Sequence, residues 1–345
     1  MDIILATGGT GGHIFPAITL AKALKLRGYN CILFTNKKTD KNIDVKSYTL
    51  PVCRPSNNKF KFFLLLIYSF ILALYRIRKL KPKLVIGFGS YATFPTLLAA
   101  KVFSIPIILH EQNILLGRVN RFFLSSAKLI ATSFSETKYV ERNKCIFTGN
   151  FVYIKPKSYS YPSSKGSLNI LIIAASQGSS FFDYVISDVV CSLPIEIKSK
   201  LKIMQQCTKK NINKVQSLYK NEKFNSELSE FFKNIESRLA SAHLIISRAG
   251  ATSISEITLA QRPAIYIPYP HSKDDHQFYN AKYIEGLGAA VVVQQDSETK
   301  KKLRDLLIDL LGNFQKLHNM ANNTRKIKVK NGVNKFIKAI IHKFC

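Results

Sequence analysis

The sequence predicts an α/β fold with two doubly wound, Rossmann-like domains that face each other across a cleft. Short apolar segments alternate with longer segments of helical periodicity, a pattern typical of a parallel sheet covered by helices. The apolar segments are continuous rather than alternating, as in strands that are buried on both faces. The pattern occurs twice within 345 residues, a length that suits two domains.

Ten apolar segments predict the strands. Those of the first half are "IILA" (3–6), "NCILFT" (30–35), "KLVIGF" (83–88), "PIILH" (106–110) and "KLIATS" (128–133). Those of the second half are "LNILIIAAS" (168–176), "LKIMQQ" (201–206), "HLIISRA" (243–249), "PAIYIPYP" (263–270) and "AAVVV" (289–293). The alternation calls for one more strand within 221–232, but "NEKFNSELSEFF" has weak strand character, so this position stays open.

A segment rich in proline, serine and tyrosine separates the two halves and has the composition of a linker. We therefore predict an N-terminal domain over 1–152, a linker over 153–167 and a C-terminal domain over 168–345. After Val293 no further strand is predicted. The last helix, "KNGVNKFIKAIIHKF" (330–344), is basic and amphipathic and is assigned to the C-terminal domain.

The chain is strongly basic, with 51 Lys and Arg against 21 Asp and Glu and a formal charge of +30. This charge indicates an anionic partner, which could be nucleic acid, an acidic bilayer or a phosphorylated small molecule, or else simply a solvated lysine-rich surface. The six cysteines form no CxxC pair and lie at no metal-ligand spacing, which fits a reducing cytoplasm. The N-terminus has no basic n-region, so we expect no signal peptide.

One apolar segment complicates a purely soluble interpretation. Phe62 to Tyr75 is apolar apart from Ser69 and is flanked by Lys and Arg on both sides. Its fourteen residues are fewer than the roughly 20 that a transmembrane helix needs. A buried core helix and a single-span anchor are alternatives, but the flanking cations favour a helix that lies on an anionic membrane surface.

Glycine-rich or polar turns follow five of the predicted strands, and ligands of open α/β sheets bind at such strand ends. The turns are "TGGTGGH" (7–13), "GFGSYATFP" (87–95), "HEQN" (110–113), "SQGS" (176–179) and "SRAGATSISE" (247–256). The first is not a dinucleotide fingerprint, because Ile14 stands where the last glycine is required, and no Walker sequence occurs. The turns therefore predict anion sites at helix N-termini, and the lack of a D-x-D motif leaves a divalent metal without evident ligands.

Together with "DDHQFYNA" (274–281), these motifs and their order along the chain resemble those of the MurG family. This family comprises the undecaprenyl-diphospho-muramoylpentapeptide β-N-acetylglucosaminyltransferases of the GT-B superfamily, glycosyltransferase family 28. The resemblance implies transfer of N-acetylglucosamine (GlcNAc) from UDP-GlcNAc to the 4-hydroxyl of the muramoyl sugar of lipid I in peptidoglycan biosynthesis. It implies an inverting reaction without metal or cofactor, a peripheral location on the cytoplasmic face of the inner membrane, and no nucleic-acid partner. It also implies that the N-terminal domain faces the acceptor and the membrane and that the C-terminal domain binds UDP-GlcNAc.

The resemblance also implies roles for individual residues. His13 corresponds to the catalytic general base. The resemblance implies that Thr10, Gly11 and Gly12 lie near the donor sugar and diphosphate, Asn113 at the GlcNAc and Ser176 at the phosphates. Around the uracil it implies contacts from Phe232, Ala251, Thr252, Ser253, Ile254 and Ser255. It further implies that Glu256 contacts the ribose hydroxyls and Gln277 the sugar hydroxyls.

Several of these residues have structural alternatives. His13 could instead cap the turn in which it lies, and Glu256 could form a capping box with Ser253. His110 and Glu111 are expected to serve packing and loop hydrogen bonds, without a chemical role.

The chain departs from the family pattern at Ala174, Ala175 and Ser90, where glycines are usual, and at Tyr153, where an arginine is usual. Arg248 could compensate for that arginine. Other GT-B transferases, a UDP-GlcNAc 2-epimerase and a degenerate, non-catalytic homologue therefore remain alternatives. A basic membrane- or nucleic-acid-binding protein is a further one, which the lack of RNP-like aromatic motifs disfavours.

Overall fold

Two parallel β-sheets, each flanked by helices, form the frame of the protein in a computed structural model. The structure describes residues 2–8, 11–36, 44–52, 58–152, 159–163, 166–174, 178–327 and 332–344. These residues divide into two units, Met1–Tyr153 with Val329–Cys345, and Ile154–Lys328. The prediction of two doubly wound α/β halves is confirmed.

The first unit contains a seven-stranded sheet in the order β3-β2-β1-β4-β5-β6-β7. Its strands are β1 (Asp2–Ala6), β2 (Asn30–Thr35), β3 (Lys46–Thr49), β4 (Leu84–Gly87), β5 (Ile107–Glu111), β6 (Ala127–Thr132) and β7 (Cys145–Phe147). Its first helices are α1 (Gly11–Lys25), α2 (Lys59–Leu80), α3 (Phe94–Val102) and α4 (Arg118–Phe122). The order reverses between β1 and β4, which places the switch point where open sheets bind ligands at the carboxyl ends of those two strands.

The second unit contains a six-stranded sheet in the order β10-β9-β8-β11-β12-β13, with its switch point between β8 and β11. Its strands are β8 (Leu168–Ile173), β9 (Leu201–Gln206), β10 (Asn225–Ser229), β11 (Leu244–Ser247), β12 (Ala264–Tyr266) and β13 (Ala290–Val292). A π-helical turn (Phe182–Ile186) leads into the helices α5 (Ser187–Cys191), α6 (Ile195–Lys198), α7 (Ile212–Asn221), α8 (Ile235–Ser241), α9 (Ala251–Leu259), α10 (His276–Gly286), α11 (Thr299–Gly312) and α12 (Phe314–Lys326). Strand β10 occupies the segment that the sequence left open.

The last helix, α13 (Val333–Phe344), packs on the first unit, so its assignment to the C-terminal domain is wrong. Phe336, Ile337 and Ile340 are buried in the same apolar core as Leu20 of α1. The Gly332 N–H also donates to the carbonyl of Asn150, at 3.0 Å. An apolar helical stripe predicts that a face is buried, but it does not say which sheet covers that face.

Helix α2 presents one face to the protein and the other to solvent. Its buried residues, Ser69, Ala73 and Ile77, recur every four residues, and the two apolar ones belong to the core beneath the sheet. Its exposed apolar side chains form a second stripe, which we call the apolar stripe: Phe60, Phe63, Leu64, Ile67, Tyr68, Ile71 and Tyr75. By length and composition, α2 is long and apolar enough to cross a membrane, with a mean hydropathy of 1.9.

Candidate functional site

His13 lies at the switch point of the first unit, in the first turn of α1, which begins at Gly11. Its Nδ1 atom is 2.8 Å from the carbonyl oxygen of Phe88, just beyond β4, and 3.0 Å from Oε1 of Gln112. The backbone carbonyl of His13 accepts a hydrogen bond from the Thr7 hydroxyl, at 2.8 Å. Contacts from the loops after β1, β4 and β5 therefore fix both the ring and its backbone.

The position of the His13 ring determines which nitrogen is available for chemistry. A carbonyl oxygen can only accept, so Nδ1 must carry the proton that it shares with Phe88. In the neutral ring, Nε2 then has the free lone pair and can take a proton. The His13 side chain hydrogen-bonds to the loops after β4 and β5 rather than to its own helix, so the alternative that it caps its own turn is wrong.

Two glycines let the loops of this switch point approach each other. A Cβ at Gly8 would lie 2.5 Å from Cβ of Ala92 in the loop after β4, which is too close for any side chain. Gly89 has φ +77° and would place a Cβ 3.6 Å from Cε1 of His13. Glycine is needed at Gly8 for the close approach and at Gly89 for its left-handed backbone.

Ser90, which replaces a glycine usual in the family, keeps a backbone conformation that suits glycine, with φ 76° and ψ 151°. A residue with a side chain that is held at these backbone angles destabilises the fold by about 1–3 kcal/mol. We therefore expect Ser90→Gly to raise the free energy of unfolding by about 1 kcal/mol. Thermal and urea unfolding would measure the gain. Ser125→Gly is the matched control, since its φ is not positive, and an equal gain there would contradict the explanation.

Glu111 organises the loop after β5 and is only 2% exposed. One carboxylate oxygen accepts from the Asn113 backbone and side-chain N–H groups, at 3.0 and 3.2 Å. The other accepts from the backbone N–H of Gly117 at 2.8 Å and from Asn120 Nδ2 at 2.9 Å. With four donors the carboxylate is satisfied, which confirms the expectation of a structural role, and it fixes the half-buried Asn113.

At the switch point of the second unit, Arg248 connects four loops at the carboxyl ends of the strands. Its Nη1 donates to the carbonyls of Ile267 and Pro268, after β12, at 3.0 and 3.1 Å. Its Nη2 donates to Oγ of Ser179, after β8, at 3.3 Å and to Oε1 of Gln295, after β13, at 2.8 Å. Arg248 itself follows β11, so one guanidinium holds together the turns after β8, β11, β12 and β13.

Burial lowers the pKa of Arg248 to about 10. Its guanidinium lies 4.9 Å from the ring centroid of Phe182 and 5.6 Å from that of Tyr269. Because both Nη atoms donate to protein acceptors, we assign Arg248 to loop organisation rather than to replacing the family arginine at a nucleotide.

Helix α9 begins at Ala251 with Gly250 as its N-cap. Ser253 therefore lies inside the helix, and the predicted capping box with Glu256 is wrong. Ala251, Ile254 and Ser255 are buried, and Oγ of Ser255 donates to the carbonyl of Ala251 at 2.8 Å. Of the predicted contacts in this helix, the half-buried Thr252 and Ser253 and the first backbone N–H groups are those that can meet a ligand.

Glu256 lies one turn further along α9 and is partly buried. Among the described residues, no hydrogen-bond donor or cation contacts its carboxylate, and burial raises its pKa to about 7. A carboxylate without partners among the described residues has the acceptor capacity that two neighbouring hydroxyls of a ligand would use.

The remaining predicted contacts have different surroundings. Oε1 of Gln277 accepts from the Tyr269 N–H at 3.0 Å, which leaves its amide N–H groups to donate. Phe232 is 5% exposed, and its ring lies under the Arg238 guanidinium at 4.5 Å. Only a small part of this residue is therefore accessible to a ligand.

Gly11 and Gly12 form the half-buried first turn of α1. Thr10 and Ser176 lie outside the described residues, as do Ala175 and Tyr153. Within the described part of the chain, no three His, Cys, Asp or Glu side chains come together as a metal site.

Sequence reasoning missed two features of the site. Gln112 is 1% exposed and contacts His13, although no role was predicted for it beside its neighbours in "HEQN". The contact between Phe88 and His13 uses a backbone carbonyl, which no residue type reveals. A buried polar residue directly after an apolar strand was the available signal for Gln112.

Comparison with known proteins places this geometry in a family. The Glycosyltransferase family 28 N-terminal domain matches residues 3–132, and the family 28 C-terminal domain matches residues 169–338. The chain belongs to glycosyltransferase family 28. Within family 28 it is similar to curated proteins and to a solved structure, which confirm the resemblance to the MurG family.

The family 28 relatives match over the whole chain. The "UDP-N-acetylglucosamine--N-acetylmuramyl-(pentapeptide) pyrophosphoryl-undecaprenol N-acetylglucosamine transferase" of Wolbachia sp. subsp. Drosophila simulans (strain wRi) is 71% identical over 344 residues, 100% of each chain. The protein of that name from Anaplasma marginale (strain St. Maries) is 40% identical over 334 residues, 94% of each. The crystal structure of Acinetobacter baumannii MurG matches with a TM-score of 0.82 at 28% identity, over 99% of this chain and 100% of that one, and this similarity supports the GT-B fold.

Proposed function

We propose that this chain transfers GlcNAc from UDP-GlcNAc to the 4-hydroxyl of the muramoyl sugar of lipid I, giving lipid II and UDP. The observation that carries the proposal is full-length similarity, at 71% identity in Wolbachia, to relatives whose name states a transfer of GlcNAc between UDP-GlcNAc and N-acetylmuramyl-(pentapeptide) pyrophosphoryl-undecaprenol. The orientation of His13 supports it, because a sugar hydroxyl needs a base to become a good nucleophile.

In the proposed reaction, Nε2 of His13 removes the proton from the acceptor hydroxyl. The hydroxyl oxygen forms a bond to the anomeric carbon of GlcNAc, and the bond from that carbon to the diphosphate oxygen breaks. UDP leaves with the electron pair, and direct displacement inverts the anomeric configuration. The developing negative charge is stabilised by backbone N–H groups at helix N-termini, so the mechanism requires no metal.

We assign the donor contacts by the chemistry each residue offers. Glu256 accepts hydrogen bonds from both ribose hydroxyls, and Gln277 donates its amide N–H groups to the sugar hydroxyls. The first turn of α9, from Ala251 to Ser255, and the accessible part of Phe232 meet the uracil. The remaining proposed contacts are Thr10, Gly11 and Gly12 at the donor sugar and diphosphate, Asn113 at the GlcNAc and Ser176 at the phosphates.

A transfer assay tests the proposal. Radiolabelled UDP-GlcNAc is incubated with the full chain in EDTA, with and without a short-chain lipid I analogue. We expect label to reach the lipid without added metal. Conversion of UDP-GlcNAc to its 2-epimer in the absence of acceptor would identify an epimerase, and a lack of any product would identify a degenerate homologue; both results would reject the proposal.

The raised pKa of Glu256 predicts a pH dependence of stability. The unfolded carboxyl ionises near its ordinary value of 4.5, whereas the folded one ionises near 7, so the parent loses stability as the pH rises between these values. We expect Glu256→Gln to be about 1–3 kcal/mol more stable than the parent at a pH of about 8 and equal to it at about 4.

Urea unfolding at the two pH values would measure this difference. UDP titration of the same variant tests the binding role of the carboxylate, and we expect its Kd to rise about tenfold or more because a charge-assisted hydrogen bond is lost. An affinity equal to that of the parent would remove Glu256 from the site, whatever the unfolding data show.

Helix α2 supports a peripheral location on the cytoplasmic face of the inner membrane. Its inner face is packed into the first unit, so only the apolar stripe is available to lipid, which favours lying in the headgroup layer over crossing the bilayer. Exposed cations bracket the stripe, with Lys59 and Lys61 at one end and Arg78 and Lys79 at the other. Each would add about 1 kcal/mol on an anionic surface.

Vesicle binding tests this surface. Phe63, Ile67 and Ile71 are each at least 41% exposed and lie on the apolar stripe. We expect their joint replacement by serine to lower the partition coefficient to phosphatidylglycerol-containing vesicles by about 100-fold, or about 1 kcal/mol per side chain. The matched control replaces Leu26 and Ile195, which are also exposed but lie off α2, and should bind like the parent. Equal losses in both variants would exclude a specific membrane surface.

A further inference from the structure

Gln112 joins the proposed base to a second, fully buried histidine. Its Oε1 lies 3.0 Å from Nδ1 of His13, and its Nε2 lies 2.9 Å from Nδ1 of His110. Gln112 is 1% exposed and His110 is fully buried, so bulk water does not compete for the contact between them. The chain of contacts lies within the first unit.

The backbone carbonyl of Phe88 determines which atoms donate and which accept in the contacts that link His13, Gln112 and His110. The Phe88 carbonyl, 2.8 Å from Nδ1 of His13, requires a proton on that nitrogen. The Gln112 atom facing the same nitrogen must then be the amide oxygen, since an amide N–H would point a second proton at Nδ1. The amide N–H₂ of Gln112 consequently faces His110, whose Nδ1 must accept.

His110 can hold the Gln112 amide in this orientation only if it stays neutral. Its ring stacks on Phe151 with centroids 4.1 Å apart, and Phe88 and Phe336 pack around it, at 5.5 and 6.1 Å. This aromatic enclosure disfavours the imidazolium, and burial lowers the pKa of His110 to about 3. When His110 is neutral and its Nδ1 accepts, the Gln112 amide has one favourable orientation, with its N–H₂ group towards His110 and its Oε1 towards His13.

We infer that Gln112 is a positioning residue for His13, which holds the base in the tautomer with a free Nε2 through an amide that His110 orients. The inference rests on the proposed function of His13 as the base. Loss of the contact should affect the proton transfer in the transition state rather than the binding of UDP-GlcNAc, for which the second unit carries most of the proposed contacts.

The tautomer of His13 can be measured without turnover. The full chain is labelled with ¹⁵N-histidine, and the His13 signals are identified by their loss in His13→Ala. At a pH where the ring is neutral, we expect Nδ1 to be protonated and Nε2 unprotonated in the parent. In Gln112→Leu we expect a mixture of both tautomers, because a ring held by one acceptor instead of two can turn away from the Phe88 carbonyl, and the carbonyl selects the tautomer only while the two are in contact.

Kinetics on the lipid I analogue test the catalytic consequence. We expect Gln112→Leu to lower kcat about tenfold while the KM for UDP-GlcNAc stays within about twofold, the size of one lost hydrogen bond. Gln112→Glu keeps an acceptor towards His13 and should retain the Nδ1–H tautomer and most of the parent kcat. If Gln112→Leu does not fold, the tautomer and the kcat of Gln112→Glu test the inference instead.

A matched control separates positioning from general destabilisation. Gln205 is a buried amide of the second unit that bonds Oγ of Ser187 and the carbonyl of Phe182. Gln205→Leu should lose comparable stability and leave the His13 signals unchanged.

Three results would overturn the inference: an unmixed Nδ1–H tautomer in Gln112→Leu, an unchanged kcat in that variant, or loss of the tautomer in Gln112→Glu. Failure of the parent to transfer GlcNAc would instead reject the proposed function, because the tautomer measurement does not depend on it.

Discussion

His13→Ala is expected to lower the kcat for GlcNAc transfer by about 10²- to 10⁴-fold, the usual contribution of a general base. The imidazole is held by Phe88 and Gln112 with Nε2 as the nitrogen that can take a proton, and alanine offers no group to replace it. UDP binding should change little, because Arg248, Glu256 and Gln277 lie in the second unit. Single-turnover transfer and UDP titration would measure the two quantities.

The variant must be shown to fold before the loss is attributed to chemistry. Removing the ring leaves the Phe88 carbonyl without its donor, which costs about 1–3 kcal/mol where water does not replace it. Circular dichroism and thermal unfolding would detect this cost. His342→Ala, at an exposed position of α13, is the control and should turn over like the parent. If folded His13→Ala transferred GlcNAc at the parental rate, His13 would not be the base.

The central strands of both sheets were predictable because their sequences are apolar without interruption. "NCILFT" and "LKIMQQ" coincide with β2 and β9, each buried over most of its length. The edge strands β3 and β7 were not predicted, because "KSYT" and "CIF" are short and only partly buried. At an edge, backbone pairing with one neighbour forms the strand, and composition carries little of the signal.

The part of the site in each unit was predictable in outline, because the strand order of each sheet places the loops of that sheet together. His13, "HEQN" and the turn containing Arg248 all follow strands near the switch points of their sheets. What each side chain contacts was not predictable. The capping box of Ser253 and Glu256 fits the sequence, yet the helix begins three residues earlier than that box requires and leaves the carboxylate without a described partner. Such contacts depend on how loops distant in sequence pack, which local patterns do not encode.

Arg248→Met is expected to lower the free energy of unfolding of the second unit by about 3 kcal/mol and to raise the Kd for UDP at least tenfold. Each hydrogen bond from a charged donor contributes about 1.5–3 kcal/mol, and Arg248 makes four. Removal of a buried cation offsets part of this loss. The turns after β8, β11, β12 and β13 would no longer be held together, so the proposed UDP contacts would lose their arrangement.

Arg262 provides the matched control for Arg248. It is 1% exposed, burial likewise lowers its pKa to about 10, and its guanidinium also bonds backbone carbonyls, including those of Leu239 and Ser160. It lies two residues before β12, at the amino ends of the strands, whereas the candidate site lies at their carboxyl ends. Arg262→Met should therefore lose similar stability yet bind UDP like the parent once folded. If both variants weakened UDP binding equally at matched stability, the effect of Arg248 would be global, and its guanidinium would not organise the site.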